Sequence, residues 1–146
     1  MASAAKNNGL TEDPTVRIET GDGPANGAQH RPSFEILQRD GIGIVRISGR
    51  FATGTDYAFV MEQTRLIKGM NCDKVIADVS EMDSAGSEGI GFFVELHASM
   101  ARKPGGLFVL AGPAPRVLEV LTLCGLIPII RITADFDAAL ALCAAA

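Results

Sequence analysis

Tryptophan is absent from the 146 residues, tyrosine occurs once, and aromatic side chains make up only 5% of the chain. A core must therefore rest on aliphatic residues and a few phenylalanines. Histidine occurs twice, as His30 and His97, which leaves little for metal or acid–base chemistry. The three cysteines, Cys72, Cys124 and Cys143, are widely spaced and form no CxxC pair. That excludes a thiolate zinc site and a disulfide framework, and reduced, buried thiols are the expectation. No basic stripe accompanies the net charge of −4, so nucleic acid is not the expected partner. No long apolar run exists either. The greasiest stretch, 118–130, is broken by Glu119, Gly125 and Pro128 and is too short to span a bilayer. The start of the chain lacks the apolar centre of a signal peptide. Direct membrane insertion is thus not expected, and a soluble, cytoplasmic protein is. Nothing in the composition asks for a metal or cofactor.

What is present is enough for one domain, since 47% of the residues are hydrophobic. Residues 1–32 read as a disordered N-terminal tail, polar and without period, with Gly21-Asp22-Gly23-Pro24 as a breaker. The domain is expected over 33–146. Phe34 and Ile36 alternate with polar neighbours, and Asp40-Gly41 turns the chain into Ile42, Ile44, Val45 and Ile47, a hairpin pattern. A helix is predicted over 55–68, capped by Thr55 or Asp56, with Phe59, Gln63, Leu66, Ile67 and Met70 on its inner face and Gly69 past its end. A strand is predicted over 74–79 and a loop over 80–88. The next helix, over 88–102, carries Ile90, Phe93, Val94, His97 and Met100 as one stripe, with Phe93 buried and Phe92 more exposed. A continuous apolar strand over 107–111 reads as buried on both faces. A helix over 113–123, a strand over 128–132 and a helix over 135–142 complete the order. Alternating strands and helices imply parallel crossovers, hence an α/β fold with a mixed, mostly parallel sheet of four to five strands and about four helices.

Convergent chemical groups are hard to find. Ala85-Gly86-Ser87-Glu88-Gly89 has the shape of a hydrolase nucleophile elbow, but the histidine its triad needs downstream of an acid is missing. His97 reads as a half-buried packing residue. Gly21-Asp22-Gly23 and Gly89-Ile90-Gly91 are weak as phosphate cradles, one lying in the tail and the other lacking a P-loop lysine. Glu81, Asp83 and Glu88 lie close together, yet no histidine joins them into a metal site. What remains is Ser84-Ala85-Gly86-Ser87 at the mouth of a helix. A serine there is either a structural cap or the place where backbone N–H groups and the positive helix end would favour a phosphate.

Five segments in order resemble the STAS family, whose best-studied members are anti-sigma factor antagonists. They are Ile47-Ser48-Gly49-Arg50-Phe51, Val75-Ile76-Ala77-Asp78-Val79-Ser80, the Gly/Ser loop, Gly105-Gly106-Leu107-Phe108-Val109-Leu110 and Leu123-Cys124-Gly125-Leu126. The resemblance runs from about Phe34 to Leu140. It implies helices packed mainly on one face of the sheet and no catalytic activity. It also implies a partner, an anti-sigma factor that is itself a serine-protein kinase. In such a switch the unmodified domain binds that kinase and frees the sigma factor, and phosphorylation of a serine at the start of the second helix releases it.

Two registers compete for that serine. Asp83-Ser84-Ala85-Gly86 matches the family's "DSxG" letters and points to Ser84. The ungapped register from Asp78 points instead to Ser87, within Gly86-Ser87-Glu88-Gly89-Ile90-Gly91. Loop and helix lengths change less readily than a side chain, so Ser87 is preferred and Ser84 is the alternative. Asp83, Gly86, Glu88, Gly89 and Ile90 are then the expected partner-binding residues. Gly86 and Ala52 stand where the family carries acids, and Glu88 stands where it often has Ser or Thr. Glu88 would suit the helix macrodipole yet repel an incoming phosphate. Those departures keep a second reading open, a STAS subunit of a transporter or stressosome-like assembly that is never phosphorylated.

Overall fold

The computed structural model describes residues 32–51 and 56–145, together with the backbone of 15–18. Its strands are β1 (Thr15–Ile18), β2 (Ser33–Arg39), β3 (Ile42–Phe51), β4 (Lys74–Ala85), β5 (Leu107–Ala111) and β6 (Arg131–Thr133). Its helices are α1 (Tyr57–Lys68), α2 (Ser87–Ala101), α3 (Pro115–Leu123) and α4 (Phe136–Ala145). One sheet holds all six strands in the order of the chain. β1, β2 and β3 pair antiparallel, and β3 through β6 pair parallel. This is the mixed α/β sheet with four helices that the sequence predicts, with one further strand at its edge.

The β2–β3 hairpin forms where Asp-Gly predicts it. Asp40 and Gly41 take φ of 53° and 78°, and Arg39 faces Ile42 across the two-residue loop. Two consecutive left-handed residues are what a type I′ turn requires, and glycine and aspartate reach that region at low cost.

Alternation along the strands divides the core in two. Phe34, Ile36, Val45, Ile47, Val75 and Ala77 face one side and pack with α1, α2 and α3. Ile76, Val109 and Ala111 face the other, under Ala139 and Cys143 of α4. Among the described residues, three helices thus share one face and a single helix covers the other. Phe34, Phe51 and Phe92 form an aromatic knot with ring centroids 5.3–5.9 Å apart. Each such pair contributes about 0.5–1.5 kcal/mol beyond its burial.

Several expectations need correction. Residues 15–18, placed in the disordered tail, form a strand, because main-chain pairing with β2 supplies what their composition does not. The rest of residues 1–31 lies outside the described residues. The predicted loop over 80–88 is largely strand. β4 runs on to Ala85 because the long β3 offers it partners, Ser48 opposite Glu81 and Phe51 opposite Ala85. β6 is shorter than predicted and begins after Pro128, a residue with no N–H for a ladder. α1 buries Val60, Gln63, Thr64 and Ile67, so its inner face is rotated slightly from the predicted one. Gly69 keeps a right-handed φ of −79° and is no left-handed cap. Asp56 is the N-cap of α1, accepting the Phe59 N–H at 3.2 Å, while Thr55 and Ala52 lie outside the described residues.

Candidate functional site

The end of β4 turns directly into α2, and the turn is clamped to the end of β3. The Gly86 N–H donates to the Phe51 carbonyl at 2.7 Å, and the Gly86 carbonyl accepts from the Ile90 N–H at 2.9 Å. One turn on, Gly89 lies flat against Phe51. A Cβ there would stand 3.0 Å from the Phe51 carbonyl oxygen and 3.2 Å from its ring. Phe51 is fully buried, so it acts as a fixed post for the helix entrance. Gly86 occupies the N-cap position, and no side chain caps the helix. The first-turn N–H groups and the macrodipole therefore make this end electropositive, apart from Glu88 in the same turn.

Ser87 is the first residue of α2 and is exposed. Its hydroxyl donates to the Glu88 carboxylate at 3.2 Å. Ser84 is half-buried in β4, opposite Arg50 of β3. Asp83 is exposed, Ile90 is half-buried against the core, and Gly89 is buried. The fold therefore gathers Gly86, Ser87, Glu88, Gly89 and Ile90 at one helix entrance. Ser84 and Asp83 sit just before it on the strand.

Two expectations along α2 fail for one reason. Phe92 is 3% exposed, buried nearly as deeply as Phe93 at 0% instead of facing outward, and Val94 is 40% exposed rather than on the inner stripe. The aromatic knot draws Phe92 inward between Phe34 and Phe51, which turns the buried arc away from Val94. His97 is half-buried, as expected. It shares a helix with Ser87 at ten positions' distance, about 15 Å of rise, so the two form no nucleophile–base pair. Among the described residues no group of three or more His, Cys, Asp and Glu could hold a metal ion. No helix there is long and apolar enough to cross a membrane.

Sequence reasoning missed Phe51 as a positioning residue. An aromatic residue after Gly-Arg reads only as a strand end, and its role depends on the extension of β4. The expectation of uniformly buried thiols also fails at Cys124, which is exposed at the end of α3, whereas Cys72 and Cys143 are buried. Burial pushes the Cys143 thiol up, with Lys74 opposing it. A thiol reagent at neutral pH is therefore expected to label Cys124 alone in the native state. The other two should react only in denaturant, as peptide mapping would reveal; native labelling of Cys143 would contradict its packing between α4 and the sheet.

The model of the STAS domain family matches residues 33–139. No curated protein sequence matches the chain. Solved structures share its fold. An anti-sigma factor antagonist from Mycobacterium paratuberculosis is 18% identical with a TM-score of 0.66, over 87% of this chain and 99% of that one. The unphosphorylated form of the anti-sigma factor antagonist SpoIIAA is 18% identical with a TM-score of 0.60, over 73% and 92%. A point variant of RsbS from Moorella thermoacetica is 21% identical with a TM-score of 0.58, over 75% and 93%.

Proposed function

Because the chain belongs to the STAS domain family, we propose that it is an anti-sigma factor antagonist that docks on a partner anti-sigma factor with serine-kinase activity through the entrance of α2 and is released when Ser87 is phosphorylated. The observation that supports this reading is the exposed Ser87 hydroxyl at the first position of a helix whose entrance is pinned to a buried post. A kinase reaches that hydroxyl without unfolding the domain. Ser84 offers less, since its half-buried position in the β3–β4 ladder limits approach. Gly86, Glu88, Ile90 and Asp83 form the surface around the hydroxyl that a partner would cover, while Gly89 is buried against Phe51 and sets the helix beneath them. The lack of a side chain at Gly86 lets a partner approach the backbone closely.

Phosphorylation adds about −1.5 to −2 charges and a hydrated group to that surface. The helix end tolerates the charge, but a partner that had packed against the neutral hydroxyl does not. Glu88 already supplies one negative charge at the same turn and accepts the hydrogen bond of the serine hydroxyl. It raises the barrier to an incoming phosphoryl group, so Glu88→Ser is expected to speed phosphorylation several-fold.

The test is to incubate the whole chain with ATP and each anti-sigma factor serine kinase of its source organism, then measure intact mass and map the site. A single phosphoryl adduct on Ser87, absent in Ser87→Ala, is the expected result. An adduct on Ser84 instead would move the switch to the strand. No adduct with any kinase would favour the non-phosphorylated subunit of a larger assembly, which the absence of acids at Gly86 and Ala52 already supports.

A further inference from the structure

β1 lies outside the residues that match the family, and among the described residues its backbone pairs with β2 alone, at the end of the sheet. Without it, β2 would present a bare edge of seven residues beside a buried apolar face that includes Phe34 and Ile36. Such an edge is a template for pairing with another chain. β1 fills that template in a fixed register, Thr15 opposite Leu37 through Ile18 opposite Phe34. Residues 19–32, which join the two strands, contain no large apolar side chain. They could span about 45 Å at full extension. Nothing in the pairing itself requires that β1 and β2 come from the same chain.

We propose that β1 is an exchangeable strand, and that the outer edge of β2 is a docking site for β1 of a second copy of this chain. The exchanged pair uses the register of the monomer, so no new interface chemistry is needed. Which form dominates is set by the connection. A short tether gives β1 an effective concentration of order millimolar at its own β2, so dilute protein closes on itself. Exchange competes as the chain approaches that concentration, or when the tether is removed. The inference rests on the β1–β2 pairing alone and stands whether or not Ser87 is modified.

Deleting residues 19–32 from the full chain leaves one residue between the paired Ile18 and Phe34, fewer than the two that the tightest common hairpin needs. Sedimentation velocity of this variant at micromolar concentration is expected to show a dimer where the parent is a monomer. Adding Val16→Pro and Arg17→Pro should return it to monomer. Successive N–H groups point to opposite sides of a strand, so one of the two prolines removes a bond to β2. A folded deletion variant that stays monomeric overturns the proposal, as does a dimer that survives the prolines. A second measurement leaves the connection intact in case the deletion does not fold. Two full-length chains in a Cys124→Ser background, one with Arg17→Cys and one with Glu35→Cys, are refolded together at about 1 mM. Directly opposed antiparallel residues have Cα separations within disulfide range. A covalent heterodimer is expected, in excess of that from the unpaired combination Arg17→Cys with Arg39→Cys. Equal yields from the two combinations overturn the exchange.

Discussion

Gly106→Ala is expected to lower the unfolding free energy by about 3 kcal/mol, at the upper end of the range for overpacked sites. A Cβ at this position would overlap the Met100 carbonyl oxygen and stand 3.0 Å from that of Lys103. Both obstacles are backbone, so no side chain can swing aside. Met100 is 1% exposed, and moving its carbonyl would disturb the last turn of α2 and the packing beneath it. The neighbouring glycine provides a control of a different kind. Gly105 has a φ of +69° but nothing within 4 Å of its would-be Cβ, so Gly105→Ala should cost only conformational strain, about 1–2 kcal/mol. Urea unfolding of the two variants separates the effects. A loss at Gly106 no larger than at Gly105 would show that α2 can slide along the sheet, and then its entrance is no fixed platform.

Stoichiometric phosphorylation of Ser87 is expected to weaken binding to the proposed anti-sigma partner by roughly 5–150-fold, the usual span for coupled sites. Domain stability should stay within about 1 kcal/mol of the unmodified protein. The two halves of this prediction have one cause. At the first residue of α2 the phosphate would sit in the field of the helix N-terminus and be hydrated on its outer side, which the fold tolerates. In a complex the same phosphate would lose water against the partner with Glu88 beside it, which binding does not tolerate. Calorimetric titration and thermal unfolding of the same phosphorylated sample test both halves. A large loss of stability with the affinity unchanged would make Ser87 a structural residue of the helix start and nothing more.

The sheet and its helices were legible because local signals agreed with the tertiary structure. Asp40-Gly41 specifies a hairpin through its backbone geometry alone, and 107–111 is apolar at every position because both of its faces are covered. The helix entrance was legible as a cluster of small residues between a strand and an apolar stripe. What the sequence hid depends on partners far away in the chain. The stretch from Ser80 to Ala85 looks like a loop by composition and becomes strand only because β3 extends beside it. Phe92 looks like the outer of two adjacent phenylalanines and turns inward only because Phe34 and Phe51 leave it a place. Residues 15–18 are too few and too isolated to predict as a strand, and their order comes from an edge waiting for hydrogen bonds. Each of these is a long-range contact overriding a local pattern.

The central claim is that another protein grips this domain at the entrance of α2. Amide chemical-shift mapping of the full chain, titrated with the proposed anti-sigma partner, locates the grip directly. The largest perturbations are expected from Asp83 to Gly91, falling away along α2 before His97. Perturbations confined to the β6 edge or to α4, with the amides of Gly86 to Ile90 unmoved, would contradict it.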